Sequence, residues 1–447
     1  MGWRSRSLSV GVVIVLGAGL LAGDRASTGG TGEIDVVWAE TTISRSASPR
    51  PVETTTTTAP PPRTFTLVAT GDVLLHSALW RQAEADAAAQ GKPGLDFGPM
   101  LAGVQPEVSA ADLAVCHMET PIAPPGGPYS SFPVFSVPQE IVPALAATGF
   151  DACTTGSNHT FDKGADGVDR TLDALDAAGI AHAGSARNPE EAAATTIADA
   201  NGVPVALLSY AYGFNGIPAP DGETWRANPI DEGRILADAA TARQRGAEVV
   251  VVSLHWGSEY VHEPNSQQSD LAPRLVRSPD IDLLLGHHAH VVQPMENVDG
   301  EWVVYGMGNM IANQLQPARA EGLLSRFTFI ELGTTWTVTA AGYEPLLTVH
   351  QPAIRLLPVN RMLADPATGP ALQARLTEAR DRTTGIVGQR GALQAGLAPL
   401  SRPVGEPAAG AIMPRQPPRR RPRWCQRQTP PPAPSCLFGE PAGGVLE

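Results

Sequence analysis

Short apolar runs alternating with helical stretches predict an α/β protein, its sheet rich in parallel pairs and its outer faces covered by helices. Two further observations give that class its shape. Each of several apolar runs ends on a residue able to hold a metal or move a proton. From Arg326 to Val349 the pattern is β-rich without helices, with RFTFIEL, TWTVTAAGY and PLLTVH as strands.

In order along the chain, Phe65 to Ala69 (FTLVA) is a strand closed by Gly71-Asp72. Ser77 to Gln90 has helical composition, with Gly91 placed to stop it. Ala111 to Val115 (ADLAV) leads into Cys116, His117, Met118 and Glu119. Residues 121–138 are too proline-rich for regular structure and are expected as a surface loop near that strand end. A short helix over 141–148 and a strand over 150–155 come next, ahead of Gly156-Ser157-Asn158-His159. Val168, Leu172 and Leu175 describe an amphipathic helix stopped by Gly179. An alanine-rich helix then precedes a strand over 203–210. A helix over 233–245 precedes EVVVVSL (248–254), an almost wholly apolar strand that delivers His255. Ser269 is expected to cap a helix through Val276. Ile281 to Leu285 is a short apolar run as expected of a strand buried on both faces, and Gly286 is expected to permit a sharp exit into His287, His288 and His290. A strand over 302–305 ends in Gly306-Met307-Gly308-Asn309. The strands after 326 are expected to complete a second sheet, and residues 370–395 to form a peripheral helix.

The chain of 447 residues is long enough for one large α/β domain or two smaller ones. Residues 1–26 resemble an export segment, with Arg4 and Arg6 ahead of an apolar stretch; cleavage is favoured over a retained anchor. Either outcome puts the protein outside the cytoplasm, secreted or tethered. Residues 27–63 are a Ser/Thr/Pro-rich linker. Residues 64–315 are the main domain, 316–396 complete it, and 397–447 form a Pro/Arg-rich tail expected to be disordered. The net charge of −13, with arginines crowding the tail, leaves the body acidic and without a nucleic-acid footprint. Of four cysteines, Cys425 and Cys436 fall in the tail; Cys116 and Cys153 either pair or serve as small buried residues, and burial is favoured. Their spacing fits no zinc pattern.

In parallel sheets ligands bind beyond the carboxyl ends of the strands. Asp72, Glu119, Asn158 with His159, His255, and His288 with His290 each follow a separate apolar run. Taken singly, Asp72 is read as a helix cap, Asn158 as a turn residue, His255 as a core histidine and Glu119 as a loop acid. Their common position along alternating β and α elements argues against all four readings together. Carboxylate, carboxamide and imidazole suit divalent manganese, iron or zinc. A bridging carboxylate holds two such ions roughly 3.5–4 Å apart, where an ionised water can attack phosphorus or carbonyl carbon. His159, beside Asn158, is placed to protonate a leaving group.

GD at 71–72, SNH at 157–159, the lone His255 and HAH at 288–290 resemble the calcineurin-like metallophosphatase signature. METP (118–121), SNHTFDKG (157–164), SLHWGSEY (253–260), GHHAHVVQ (286–293) and YGMGN (305–309) look like the CapA, or poly-γ-glutamate capsule biosynthesis, family. The resemblance covers roughly residues 65–313. It implies a four-layer α/β/β/α metallophosphatase-like sandwich with a site for one or two divalent metals at the strand ends. It assigns Asp72, Glu119, Asn158, His255, His288 and His290 as metal ligands, in preference to His287, with His159 and Asp162 as catalytic residues. Three departures stand out. Leu74 stands where the wider superfamily has a histidine two residues after the first aspartate, so that one metal is held by fewer ligands or His76 reaches in. Glu119 replaces the superfamily's aspartate, and His117 stands where close relatives carry asparagine.

On these residues the chain reads as an extracytoplasmic metal-dependent hydrolase-like protein acting on a cell-envelope polymer or a phosphoester. An anionic polymer such as poly-γ-glutamate and membrane capsule-synthesis components are the expected partners. The rival is a non-catalytic, metal-containing factor that binds or exports such a polymer; His159 favours the enzyme, because a binding site needs no proton donor.

Overall fold

Residues 61–400 are described by a computed structural model. The expected export segment, most of the linker and the tail beyond 400 lie outside the described residues. Among the described residues, no helix is long and apolar enough to cross a membrane.

The strand Thr64–Val73 is the axis of the first sheet. On one side it runs parallel to Leu113–Met118, which leads through Ala152–Thr154 to Ala181–Ala183, also parallel. On the other side Glu321–Leu332 pairs antiparallel, followed by Thr335–Val349 and Arg355–Pro358. The second sheet is built on three parallel neighbours, Val203–Ala211, Val249–His255 and Leu283–His287. Glu301–Val304 extends it in parallel, and Thr196–Ala200 and Met295–Val298 close its edges antiparallel.

Alternation along each strand sorts side chains between two cores. Val249, Val251, Leu283 and Leu285 face Phe65, Leu67, Leu113 and Phe327, filling the space between the sheets. Val250, Val252 and Leu284 point the other way, against Ile235, Ala239, Leu271 and Leu275 of the helices Glu232–Gln244 and Ser266–Val276. On the far side Val68, Ala114 and Cys153 pack under Leu79, Leu145 and Leu172 of the helices Ser77–Ala89, Ile141–Thr148 and Gly164–Ala177. The result is the expected four-layer α/β/β/α sandwich. It also explains why VVVVSL is almost wholly apolar: both faces of that strand are covered.

Several expectations are corrected. The strands after 320 do not complete the second sheet. They form a hairpin that pairs with Thr64–Val73, from Thr64 opposite Ile330 to Thr70 opposite Leu324, and so enlarge the first. The alanine-rich stretch is a single turn, Pro189–Ala192, capped by the Asn188 side chain, and β-branched Thr196 and Ile197 then start an edge strand. The helix ending at Val276 starts at Ser266, because Asn265 and Gln268 cap each other's backbone reciprocally; Ser269 lies inside it. Residues 121–138 are not wholly a surface loop, since Ile122, Phe135 and Val137 are buried and Ile122 bridges Val137. Gly286 makes no sharp exit. It lies within Leu283–His287, and its missing Cβ lets the Tyr305 carbonyl approach to a point 1.9 Å from where a Cβ would stand. Cys116 and Cys153, register partners on adjacent strands, are buried as expected but joined in a disulfide.

The folded body also runs four residues further than expected. Ala398–Pro399 pairs parallel with Thr335–Val349, and Leu397 and Leu400 are buried. Leu400 sits over Gly342, where a side chain would collide with it. Leu400→Ala is therefore expected to lower unfolding free energy by about 2–3 kcal/mol, as for other buried leucines. Denaturant unfolding of the full chain and the variant checks this, and an unchanged midpoint would place residue 400 outside the core.

Candidate metal centre

The carboxyl ends of the central strands of both sheets meet at one buried point. Asp72 reaches it from Thr64–Val73, His117 and Glu119 from the end of Leu113–Met118, and His255 from Val249–His255. Asn158 and His159 come from the turn after Ala152–Thr154, and the turn after Leu283–His287 supplies His288 and His290. All of these side chains are buried.

Asp72 joins the sheets. Its Oδ1 lies 3.1 Å from Nδ1 of His287, its Oδ2 accepts from the His288 backbone N–H at 3.1 Å, and Nδ1 of His290 is 3.3 Å away. Burial opposes ionisation, but the hydrogen bonds to His287 and His290 hold its carboxyl well below the usual range. Nδ1 of His290 also meets Oδ1 of Asn309 at 3.0 Å. His288, His290 and nearby Tyr260 all have φ in the left-handed region, at 84°, 53° and 65°. Such backbone in bulky residues persists only where its surroundings impose it, and it gathers at functional sites.

Glu119 is the outlier. Both of its carboxylate oxygens are buried without a hydrogen-bond partner. Oε1 lies 3.7 Å from Nε2 of His290 and 4.0 Å from Nε2 of His255, beyond hydrogen-bond reach. Burial pushes its pKa up to about 7. Nδ1 of His288 is likewise buried and unpartnered. Two orphaned donor groups facing one space, beside a carboxamide oxygen and further imidazoles, fit a divalent cation. The ligand atoms of Asp72, Glu119 and His290 lie within 4.8 Å of one another, as do those of Glu259, His288 and His290.

The six sequence-assigned ligand candidates thus form one connected set, with Asn158 Oδ1 2.9 Å from Nε2 of His255. His159 stands beside them, its Nδ1 2.8 Å from Oδ2 of Asp162. Burial lowers the His159 pKa, but the bond to Asp162 and the charge of Glu119 raise it more, and its net shift is upward. Asp162 also accepts the Phe135 backbone N–H at 2.7 Å, tying the 121–138 segment to the site. His76 does not reach in: its Nδ1 accepts the Asn313 N–H, and its ring meets Phe135 edge-on.

Sequence reasoning passed over His287, His117, Asn309 and Glu259. Strand parity could have found His287, which shares a face with Leu283 and Leu285 and so points toward the first sheet and Asp72. His117 lies behind the centre, Nε2 against Nδ1 of His255 at 3.0 Å and Nδ1 against Thr154 Oγ1 at 2.8 Å, its ring stacked 4.0 Å from His287. It orients His255 as an outer partner orients a ligand. Asn309, in the YGMGN stretch, holds His290.

Compared with known proteins, residues 66–314 match the model of the family described as bacterial capsule synthesis protein PGA_cap. The chain is 28% identical over 202 residues to the capsule biosynthesis protein CapA of Bacillus anthracis, covering 44% of this chain and 49% of that one. It is 28% identical over 203 residues to the PGA biosynthesis protein CapA of Bacillus subtilis (strain 168), covering 44% and 51%. The chain spans about half the length of the curated relatives it matches. Among solved structures, the calcineurin-like phosphoesterase YfkN from Bacillus subtilis is similar with a TM-score of 0.40 at 14% identity, over 73% of this chain and 98% of that one.

Metal binding here must displace protons. Glu119, raised to about 7, and His290, which burial lowers but Glu119 and Asp72 raise to about 9, are both protonated below those values and must lose protons to ligate. Affinity for Mn²⁺ is thus expected to fall as pH drops through 9 and then 7, by about tenfold per unit for each proton displaced. Glu119→Gln should weaken binding and flatten the lower part of that slope. Calorimetric titration across this range checks it; a flat profile in the wild type would remove Glu119 and His290 from the ligand set.

Proposed function

The chain belongs to the PGA_cap family of bacterial capsule synthesis proteins, and from that premise we propose an extracytoplasmic metal-dependent hydrolase of poly-γ-glutamate capsule biosynthesis, acting on a cell-envelope polymer or phosphoester. One observation carries the proposal: the buried carboxylate of Glu119 has no hydrogen-bond partner, its Oε1 lying 4.0 Å from His255 and 3.7 Å from His290, beside a histidine hydrogen-bonded to Asp162. The disulfide between Cys116 and Cys153 supports an oxidising compartment, in keeping with the export-like residues 1–26.

Asp72, Glu119, Asn158, His255, His288 and His290 would hold one or two divalent ions, manganese, iron or zinc. Such ions supply Lewis acidity and make water ionisable near neutral pH. The chain itself supplies the proton. His159 gives its Nδ1–H to Asp162, so that Nε2 is the nitrogen left to protonate a leaving oxygen or nitrogen. Asp162 acts through His159 and is a positioning residue. The edge of Phe135, its ring centroid 4.8 Å from that of His159, keeps the imidazole from turning. Because the acid must be protonated to act, and its pKa is raised, activity is expected to persist to higher pH than an ordinary imidazole would allow and to fall as pH rises past that raised value.

His159→Gln is expected to retain metal and lose about two to four orders of magnitude in rate. The wild type, loaded with each candidate metal, is screened against phosphoesters and γ-glutamyl polymers, and the variant is assayed on whatever turns over. If the wild type turns over neither class, and His159→Gln still supports polymer production in cells, the protein is a binding or export factor.

A further inference from the structure

Beside the metal centre, Arg319 is a cation with no ion pair among the described residues. Arg319 is half-buried, and its guanidinium carbon lies 3.4 Å from the centroid of the Tyr260 ring. Stacking uses only the face of a guanidinium; its N–H donors radiate in the plane and stay free. Among the described residues, no carboxylate or carbonyl takes them. Other body arginines, such as Arg187, Arg226 and Arg355, are paired with acids.

The position is imposed from two sides. The Arg319 backbone carbonyl accepts from Nδ2 of Asn309, whose Oδ1 holds His290. Tyr260, 39% exposed and in left-handed backbone, donates its N–H to the Ala289 carbonyl at 2.7 Å, between His288 and His290. Its ring lies 5.9 Å from that of His290. Tyr212 is 44% exposed and 4.5 Å from the His288 ring. Each tyrosine ring thus lies against one of the two histidines, and the fixed cation stacks on one of them.

We infer that Arg319, stacked on Tyr260, is a specificity-determining residue that binds an acidic group of the substrate, carboxylate or phosphate, next to the reacting bond. This rests on the hydrolase reading, in that it takes the reacting bond to lie at His288 and His290. A planar fork of N–H donors matches either oxyanion, and a polyanion entering an acidic body needs a local cation. Glu259, next to Tyr260, would repel that acid unless its carboxylate turned to a metal, and its ligand atom lies within 4.8 Å of those of His288 and His290.

Calorimetry on the full chain loaded with Mn²⁺ tests this with three probes: a γ-glutamyl pentamer, the methyl ester of that pentamer, and inorganic phosphate. Arg319→Gln is expected to weaken an anionic probe about tenfold, with metal content and ester binding unchanged. Arg319→Lys should recover part of the loss, because it restores charge without the fork. A loss confined to the pentamer assigns a carboxylate; one confined to phosphate assigns a phosphoryl group. Unchanged affinity for both anions in Arg319→Gln, equal loss for acid and ester, loss of metal, or a wild type that binds none of the probes would each overturn the inference. If Arg319-dependent binding persists while the wild type turns over nothing, the hydrolase reading falls and the subsite stands.

Discussion

A single carboxylate, that of Asp72, sets the terms on which the two sheets can meet. It is fully buried, and a lone charge in such a place costs several kcal/mol unless compensated. Compensation comes from one turn of the opposite sheet, through His287, the His288 N–H and His290. For those groups to arrive, backbone must pass backbone with no side chain between. Gly71 lies under the Gly308 carbonyl and Gly286 under the Tyr305 carbonyl, each with room for hydrogen only. The segment from Tyr305 to Ile311 leaves the second sheet and pairs with the first at Asp72 opposite Asn309. The left-handed backbone of His288 and His290 follows from the same demand, since the turn must present ring nitrogens and a backbone donor to one acid.

The ring of histidines at this point is divided by its neighbours. Burial keeps His117 and His255 well below their usual pKa and His288 near 4, so these three are neutral with lone pairs to offer. His290 and His159 are held upward by Glu119 and by Asp72 or Asp162. The split leaves His255 and His288 ready to ligate, whereas His290 must first give up its proton. Glu119 is tied to both sets, because its own elevated pKa comes from burial and its charge supports the protonated imidazoles.

Much of this was legible in the chain because it obeys local rules. Apolar runs of strand length, each ending on an acid, amide or imidazole, announced both the parallel sheets and the six ligand candidates. What stayed hidden depends on contacts between distant segments. Nothing near Arg326 says that the hairpin will pair with Thr64–Val73 rather than build another sheet; only hydrogen bonds across more than half the chain decide it. Proline content marked 121–138 as irregular but could not show Phe135 folding inward to meet His159. Gly286 looked like a turn residue because close approach and left-handed backbone both select glycine. His117 was visible only as a departure from relatives, since its partners, Thr154 and His255, lie on two other strands. Arg319 carries no motif at all, and its significance lies in Tyr260, a stacking partner from another segment.

The hydrogen bond between Asp72 and His287 spans 215 positions of sequence. Contacts of that range are the last a chain can make, because loop closure must be met before they return anything. During synthesis, residues up to about 280 can assemble the first parallel strands and their helices, but not the site. The metal-ready cavity comes into being only when the turn at 287–290 and the crossing at 305–311 have both emerged. Any ion the site takes up must therefore wait until residue 311 has emerged, and the compartment in which that stretch first folds would set which metals are on offer.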